Sequence, residues 1–179
     1  MINVMVDLET MGTSATAPII SIGAVFFDED GLGKEFYAAV SLEDSVKRGG
    51  VIDPSTVIWW MQQEESLLGQ FVAEQKLGGA VKLPTALERF TEFVTSECSD
   101  RELRVWGNGA SFDNVILRNA FEVCGLIEPW RFWNDRCFRT IKSLFGNVPY
   151  KQPKVAHNAL SDAVAQAEHM VMLTKKGHL

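Results

Sequence analysis

The amino-acid sequence predicts an α/β protein with a central mixed five-stranded sheet flanked by helices. Three observations carry this. Three apolar runs separated by turn signals open the chain and read as an antiparallel meander. After them the order is helices, strand, helix, strand, helix, which suits a layered α/β domain. The 179 residues contain no internal repeat, low-complexity tract or dividing linker, so residues 1–179 read as one domain with room for a sizeable core.

The first strand is Ile2 to Thr10, an apolar run of the kind buried on both faces. A small polar loop, Thr10 to Ser14, leads to a long second strand, Pro18 to Phe27. Asp28-Glu29-Asp30-Gly31 is a turn signal, and Glu35 to Val40 the third strand. Asp53 then caps a short helix that has Pro54 at its first position and runs through Met61. Glu64 to Lys82 reads as a helix and a connection broken at Gly78-Gly79. Leu83, Leu87, Phe90 and Val94 recur at helical spacing, so an amphipathic helix is expected to end near Cys98-Ser99-Asp100.

Leu103 to Trp106 is the fourth strand, closed by a tight loop, Gly107 to Ala110. Ser111 can cap the next helix, whose apolar positions are Phe112, Ile116, Ala120 and Val123. Trp130 to Asn134 is predicted as the fifth strand and Asp135 to Phe145 as a helix. A last helix runs toward Lys176 with Leu160, Ala163, Val164, Ala167 and Val171 as its core stripe.

The composition, 46% hydrophobic and 22% charged, is that of an ordinary globular protein. A net charge of −6 argues against coating nucleic acid by long-range attraction, though not against gripping it through metal ions and a local basic patch. There is no apolar run of membrane-spanning length and no secretory pattern at the N-terminus, so no membrane association is expected. Three widely spaced cysteines (Cys98, Cys124, Cys137) suggest neither a disulfide framework nor a zinc site, and the expected location is cytoplasmic. Arg131, Arg136, Arg139, Lys142, Lys151 and Lys154 lie near Trp130, Phe132 and Trp133. That group is either a surface for phosphates and bases or a solvated face over core aromatics. Adjacent Trp59 and Trp60 cannot both face one side of a helix, so one is core and the other is either further core packing, which tryptophans ordinarily provide, or a base-stacking or partner surface.

The chemistry-bearing residues are acids. Asp7 and Glu9 project to the same side of the first strand because side chains alternate. Two like charges so close, at the end of a buried strand, are either solvated or neutralised by a hard divalent cation. Asp113 opens a helix directly after a central strand, where the helix dipole alone would also favour a carboxylate. Asp162 follows His157 by five residues and lies opposite the apolar stripe of the last helix, so periodicity alone makes it a surface acid. A lone histidine is ordinarily structural, and His169 and His178 are read that way.

Taken in order, Asp7-Leu8-Glu9-Thr10, Ser111-Phe112-Asp113 and His157 with Asp162 resemble the DEDDh 3′→5′ exonucleases. The resemblance spans nearly the whole chain. Further stretches are similar to the branch that holds phage and prophage exonucleases and a mycobacterial adenylate-specific exoribonuclease: Ser55 to Trp60, Trp106 to Asp113 and Phe132 to Thr140. Some members of that branch have aspartate where this chain has Cys137.

The resemblance implies a ribonuclease H-like three-layer fold and a phosphodiester hydrolase. It implies Asp7, Glu9, Asp113 and Asp162 as ligands of two Mg2+ or Mn2+ ions, with Asp7 bridging, and His157 as general base. Thr10, Met11, Gly12, Trp60, Ser111 and Phe112 are the implied substrate contacts. The implied substrate is single-stranded DNA or RNA with a free 3′ end, the product a nucleoside 5′-monophosphate, and the assembly a homodimer. The alternative is a non-catalytic nucleic-acid or protein-binding module on the same fold.

Overall fold

A computed structural model describes residues 2–97 and 102–177. Its centre is a five-stranded sheet in the order β3-β2-β1-β4-β5. Strand β1, Ile2–Thr10, pairs antiparallel with β2, Ile19–Phe27, which pairs antiparallel with β3, Leu32–Ala39. On the other side β1 pairs parallel with β4, Leu103–Gly107, and β4 with β5, Asp135–Cys137. The mixed sheet expected from the sequence is the one observed.

Seven helices surround it among the described residues: α1 (Leu42–Lys47), α2 (Pro54–Met61), α3 (Glu65–Lys76), α4 (Leu83–Thr95), α5 (Val115–Val123), α6 (Phe138–Leu144) and α7 (Ala159–Lys175). Asp53 caps α2 as its spacing predicts, its side chain accepting from the Ser55 amide at 2.9 Å. The expected end of α4 near Cys98–Asp100 lies outside the described residues, as does His178.

Strand alternation divides the core. Val4, Val6 and Leu8 pack with Leu87 and Phe90 of α4 and Ile116 and Leu117 of α5. Met5, on the other face, packs with Ala163, Ala167 and Met170 of α7. Asp7 and Glu9 continue the Met5 face and so project to the side that α7 covers. Gly23 sets how closely α7 can lie. It stands opposite Asp7 in the β1–β2 register, and a Cβ there would fall 2.1 Å from the Ala159 carbonyl carbon and 2.2 Å from the Leu160 nitrogen. Only a residue without a side chain lets the first turn of α7 rest on β2.

The structure corrects four expectations. The fifth strand is Asp135–Cys137, not Trp130 to Asn134, and Phe132–Asn134 is a single 3₁₀ turn. The cause is Trp130, which is buried against Phe90 and Phe121 while its indole N–H donates to Asp135 Oδ1 at 2.9 Å. That anchor holds the chain in a turn until Asp135 meets Val105 and pairing begins. The following helix therefore starts at Phe138, not Asp135. Ser111 is not a cap: Ala110–Asn114 forms a π-helical turn without a side-chain cap. On α7, Leu160 is only half-buried, and it lines a surface pocket of about 280 Å³ with Lys154 and Val155.

Candidate active site

The site is built where the end of β1, the turn after β4 and the first turns of α7 meet. A bulge between Glu9 and Thr10 ends the regular β1–β2 pairing beside the acids, a common place for strands to be re-aimed. Asp7, Glu9 and Asp162 each offer a carboxylate oxygen, and these oxygens lie within 4.8 Å of one another. Asp162 is thus not the surface acid that periodicity suggests. It is half-buried, and the row that it shares with Gln166 one turn on faces β1.

Asp113 reaches the same place from β4. The β1–β4 ladder stops at the Val6–Gly107 pair, which leaves the Leu8 amide without a strand partner. Asp113 Oδ1 accepts that amide at 3.2 Å, between the two acids of β1. Gly107 makes the approach possible, since a Cβ there would lie 2.9 Å from Asp113 Cβ and 2.4 Å from Asn114 Oδ1. Gly109, at φ 140°, turns the chain into the π-helical stretch, and its carbonyl accepts from the Phe112 and Asp113 amides. Asn114 braces the turn, donating to the Val105 carbonyl and to Asp135 Oδ1, each at 3.1 Å.

Burial and mutual repulsion dominate the electrostatics. Burial raises Asp7 well above the usual carboxylate range. Asp113, Glu9 and Asp162 push it further, against a hydrogen bond from Gln166. Glu9 is pushed up to about 8 by burial, then by Asp162 and Asp113. Burial lifts Asp113 to about 7, although the Leu8, Asn108 and Asp113 amides and the Arg139 charge oppose it. Asp162 is raised by burial, against the pull of His157 and of backbone amides. Asp113 Oδ2 is buried without a hydrogen-bond partner. Four carboxylates held this way favour any positive charge placed among them.

His157 stands on the rim at φ 61°, in the left-handed region that a non-glycine residue seldom occupies. Its ring meets Trp59 edge-to-face, with centroids 4.7 Å apart and planes at 86°. The next residue, Asn158, donates its amide to Asp162 Oδ2 at 3.1 Å and caps α7 through its side chain. Imidazole and carboxylate are thereby fixed within one short turn.

Beside the acids lies a cleft of about 480 Å³, lined by Glu9, Thr10, Gly12, Trp59, Trp60 and Phe112 among others. Thr10, Gly12, Trp60 and Phe112, all named from the sequence, line it. Met11 does not: its side chain is buried with Ile20 and Trp60. Ser111 is exposed and also lies outside that lining. Trp60 is only 5% exposed, and its indole N–H donates to the Thr10 carbonyl at 3.0 Å, so it is chiefly floor. Trp59, 39% exposed, is the ring that stands open beside the cleft.

The basic region divides similarly. Arg136 is tied to the carbonyls of Trp133 and Asp135, Lys142 lies 3.7 Å over the Tyr150 ring, and Lys151 pairs with Glu168. Arg139 alone of this group carries its charge to Asp113. Sequence reasoning missed Gln166, Gly23 and Gly107. The signal for Gly23 was its place inside a strand pattern, which marks close backbone approach, whereas Gly107 read as the first residue of a loop.

The chain is 25% identical over 162 residues to the exodeoxyribonuclease of Enterobacteria phage T4, covering 78% of this chain and 70% of that protein. The nuclease domain of 3′hExo, a DEDDh family member bound to rAMP, superposes with a TM-score of 0.64 at 15% identity over 99% of this chain and 94% of that one. E. coli exonuclease I in complex with a dA16 oligonucleotide gives a TM-score of 0.64 at 14% identity. There the match covers 97% of this chain but only 40% of that longer protein. These superpositions establish the ribonuclease H-like fold. The sequence model of the Rv2179c-like 3′-5′ exoribonuclease domain matches residues 2–174. The chain therefore belongs to the Rv2179c-like family of 3′→5′ exonucleases.

Proposed function

We propose that this exonuclease hydrolyses single-stranded nucleic acid from its 3′ end by a two-metal mechanism, releasing nucleoside 5′-monophosphates. The observation that carries the reading is the convergence of Asp7, Glu9, Asp113 and Asp162, three of them within one coordination sphere and the fourth bound to the backbone between two of them. An all-oxygen, buried, anionic donor set suits hard divalent cations such as Mg2+ or Mn2+. The unpartnered Oδ2 of Asp113 is a ready ligand atom in it.

Asp7 would bridge the two ions, Glu9 and Asp162 would complete one, and Asp113 would hold the other. Bound there, the ions supply positive charge to the phosphate in its transition state and make water a better nucleophile. His157 would take the proton of the attacking water as its oxygen bonds to phosphorus and the P–O3′ bond breaks, the departing O3′ taking a proton from solvent to become the new 3′-hydroxyl. Trp59 and the backbone at Asn158 hold that imidazole at the rim. Thr10, Gly12, Trp60 and Phe112 receive the terminal nucleotide in the cleft, Met11 supports that loop from within, and Ser111, exposed outside the cleft lining, is next to Phe112 in the chain. Residues 1–179 act as one exonuclease domain, in keeping with a family match over 2–174. Exposed Phe132 and Trp133 supply a contact surface for a homodimer, which light scattering would measure directly. No helix among the described residues is long and apolar enough to cross a membrane, and action in the cytoplasm is part of the reading.

The deciding experiment is a time course on matched single-stranded DNA, RNA and poly(A), each labelled at the 5′ end, with and without Mn2+. Progressive shortening with release of mononucleotides only when metal is present is expected. Binding without release would mark a non-catalytic module, and internal cuts an endonuclease.

A further inference from the structure

We infer that Arg139 is the residue through which this site binds a phosphate of the nucleic-acid strand. The inference rests on the exonuclease reading and adds to it a substrate contact that the acids cannot make.

The geometry is local to Asp113. Arg139 lies in the first turn of α6, and its guanidinium covers the backbone of Gly109. A Cβ at Gly109 would sit 3.7 Å from Arg139 Cζ and 3.7 Å from its Nη2. Gly109 opens the turn that presents Asp113, and the Arg139 charge acts on that carboxylate. Yet Arg139 is exposed and forms no ion pair among the described residues. Its fork of donors is left exposed over the turn that presents Asp113.

Charge balance says what that fork is for. Four carboxylates and two divalent cations cancel in net charge, so the filled site attracts a phosphodiester only at close range, through the ions themselves, and the whole chain carries −6. A strand arriving at such a site needs a fixed cation of its own. Lys142 is committed to Tyr150 and Lys151 to Glu168. Among the described residues Arg139 and Lys154 are the members of the basic group left exposed without an ion pair, but it is Arg139 whose charge reaches Asp113, and its fork matches two oxygens of a phosphate at once. Gly109 adds to the fit, because without a side chain there the guanidinium lies directly over the backbone of the turn that presents Asp113.

The test compares wild type with Arg139→Gln, Arg139→Lys and, as a charge-matched control on the far helix α4, Arg89→Gln. Three quantities are read: affinity for a nucleoside 5′-monophosphate in saturating Mn2+ by calorimetry, kcat and KM on a single strand, and the slope of log KM against log salt. Arg139→Gln is expected to weaken monophosphate binding and raise KM about tenfold, as loss of a charged hydrogen bond does. The salt slope should fall by about 0.7, the value for one phosphate contact on a single strand. Arg139→Lys should restore the slope but only part of the affinity, and Arg89→Gln should leave all three unchanged. Mn2+ affinity without nucleotide should not be weakened in any of the proteins, because removing a cation beside Asp113 lessens repulsion of the ion. Unaltered salt slope and monophosphate affinity in Arg139→Gln would overturn the inference. So would a loss of affinity wholly accounted for by weaker Mn2+ binding, because Arg139 would then be only a countercharge for Asp113. A wild type that releases no mononucleotide defeats the exonuclease reading instead, whatever Arg139 does.

Discussion

The side-chain amide of Gln166 donates a hydrogen bond to Asp7 Oδ1 at 2.8 Å, tying α7 to β1 across 159 residues of sequence. Gln166 is 1% exposed, so this bond is made where water does not compete. It occupies one oxygen of Asp7 and leaves the other for the site. The bond also favours the ionised carboxylate, against burial and three neighbouring acids.

Gln166→Leu should keep the helix but leave Asp7 Oδ1 unpaired. The cost expected from losing a ligand-orienting partner is a ten- to hundredfold weaker Mn2+ affinity, on the order of 1.4–2.7 kcal/mol. Calorimetric titration of the two proteins with Mn2+ checks it, and equal affinities would remove Gln166 from the account.

Gly23→Ala places a methyl group on backbone atoms of Ala159 and Leu160 that cannot turn aside. A loss of about 3 kcal/mol or more is expected, at the upper end of overpacking costs. Denaturant unfolding measures the stability. Any folded fraction should also bind Mn2+ weakly, because the displaced turn carries Asp162 with it.

The adjacent tryptophans should respond in opposite ways. Trp60→Ala empties a buried site and strips the Thr10 carbonyl of its donor, with an expected cost of about 3–5 kcal/mol in thermal or denaturant unfolding. Trp59→Ala should leave the melting temperature nearly unchanged while lowering kcat, because His157 loses the ring that holds it. Equal destabilisation by both substitutions would contradict this division.

In the metal-free protein the acids give stability an unusual pH dependence. A carboxyl whose folded pKa is raised binds protons more tightly folded than unfolded, so its contribution is largest below its ordinary pKa and is lost as pH rises through the raised value. With Glu9 at about 8 and Asp113 at about 7, the melting temperature in chelator should fall from pH 5 to pH 8. Glu9→Gln should flatten that slope. Saturating Mn2+ should stabilise more at pH 8 than at pH 5, because ions bind the deprotonated site.

How legible this was from sequence varied with the kind of force involved. Strands β1 to β4 and helices α2, α4 and α7 followed from periodicity and caps, because the burial that stabilises them is written as spacing. Trp130 defeated the prediction of β5, since a side-chain bond to Asp135 and burial against Phe90 and Phe121 are contacts that no local pattern encodes. Periodicity placed Asp162 outside because it treats every charged residue as solvent-facing, whereas α7 turns Asp162 and Gln166 toward other acids. Met11 failed for a related reason: its neighbours in sequence line the cleft, but the loop turns its side chain inward to Ile20 and Trp60. Arg139 was one of six basic residues in the stretch from Arg131 to Lys154. Only the placement of the other charges singled it out.

The central claim, that four distant carboxylates form one centre for two ions, is tested most directly by counting Mn2+ bound at saturation. Titration of wild type beside Asp7→Asn, both checked for native folding, should find two ions per chain in the first and at most one in the second. No specific uptake by wild type, or the same count in Asp7→Asn, would contradict it.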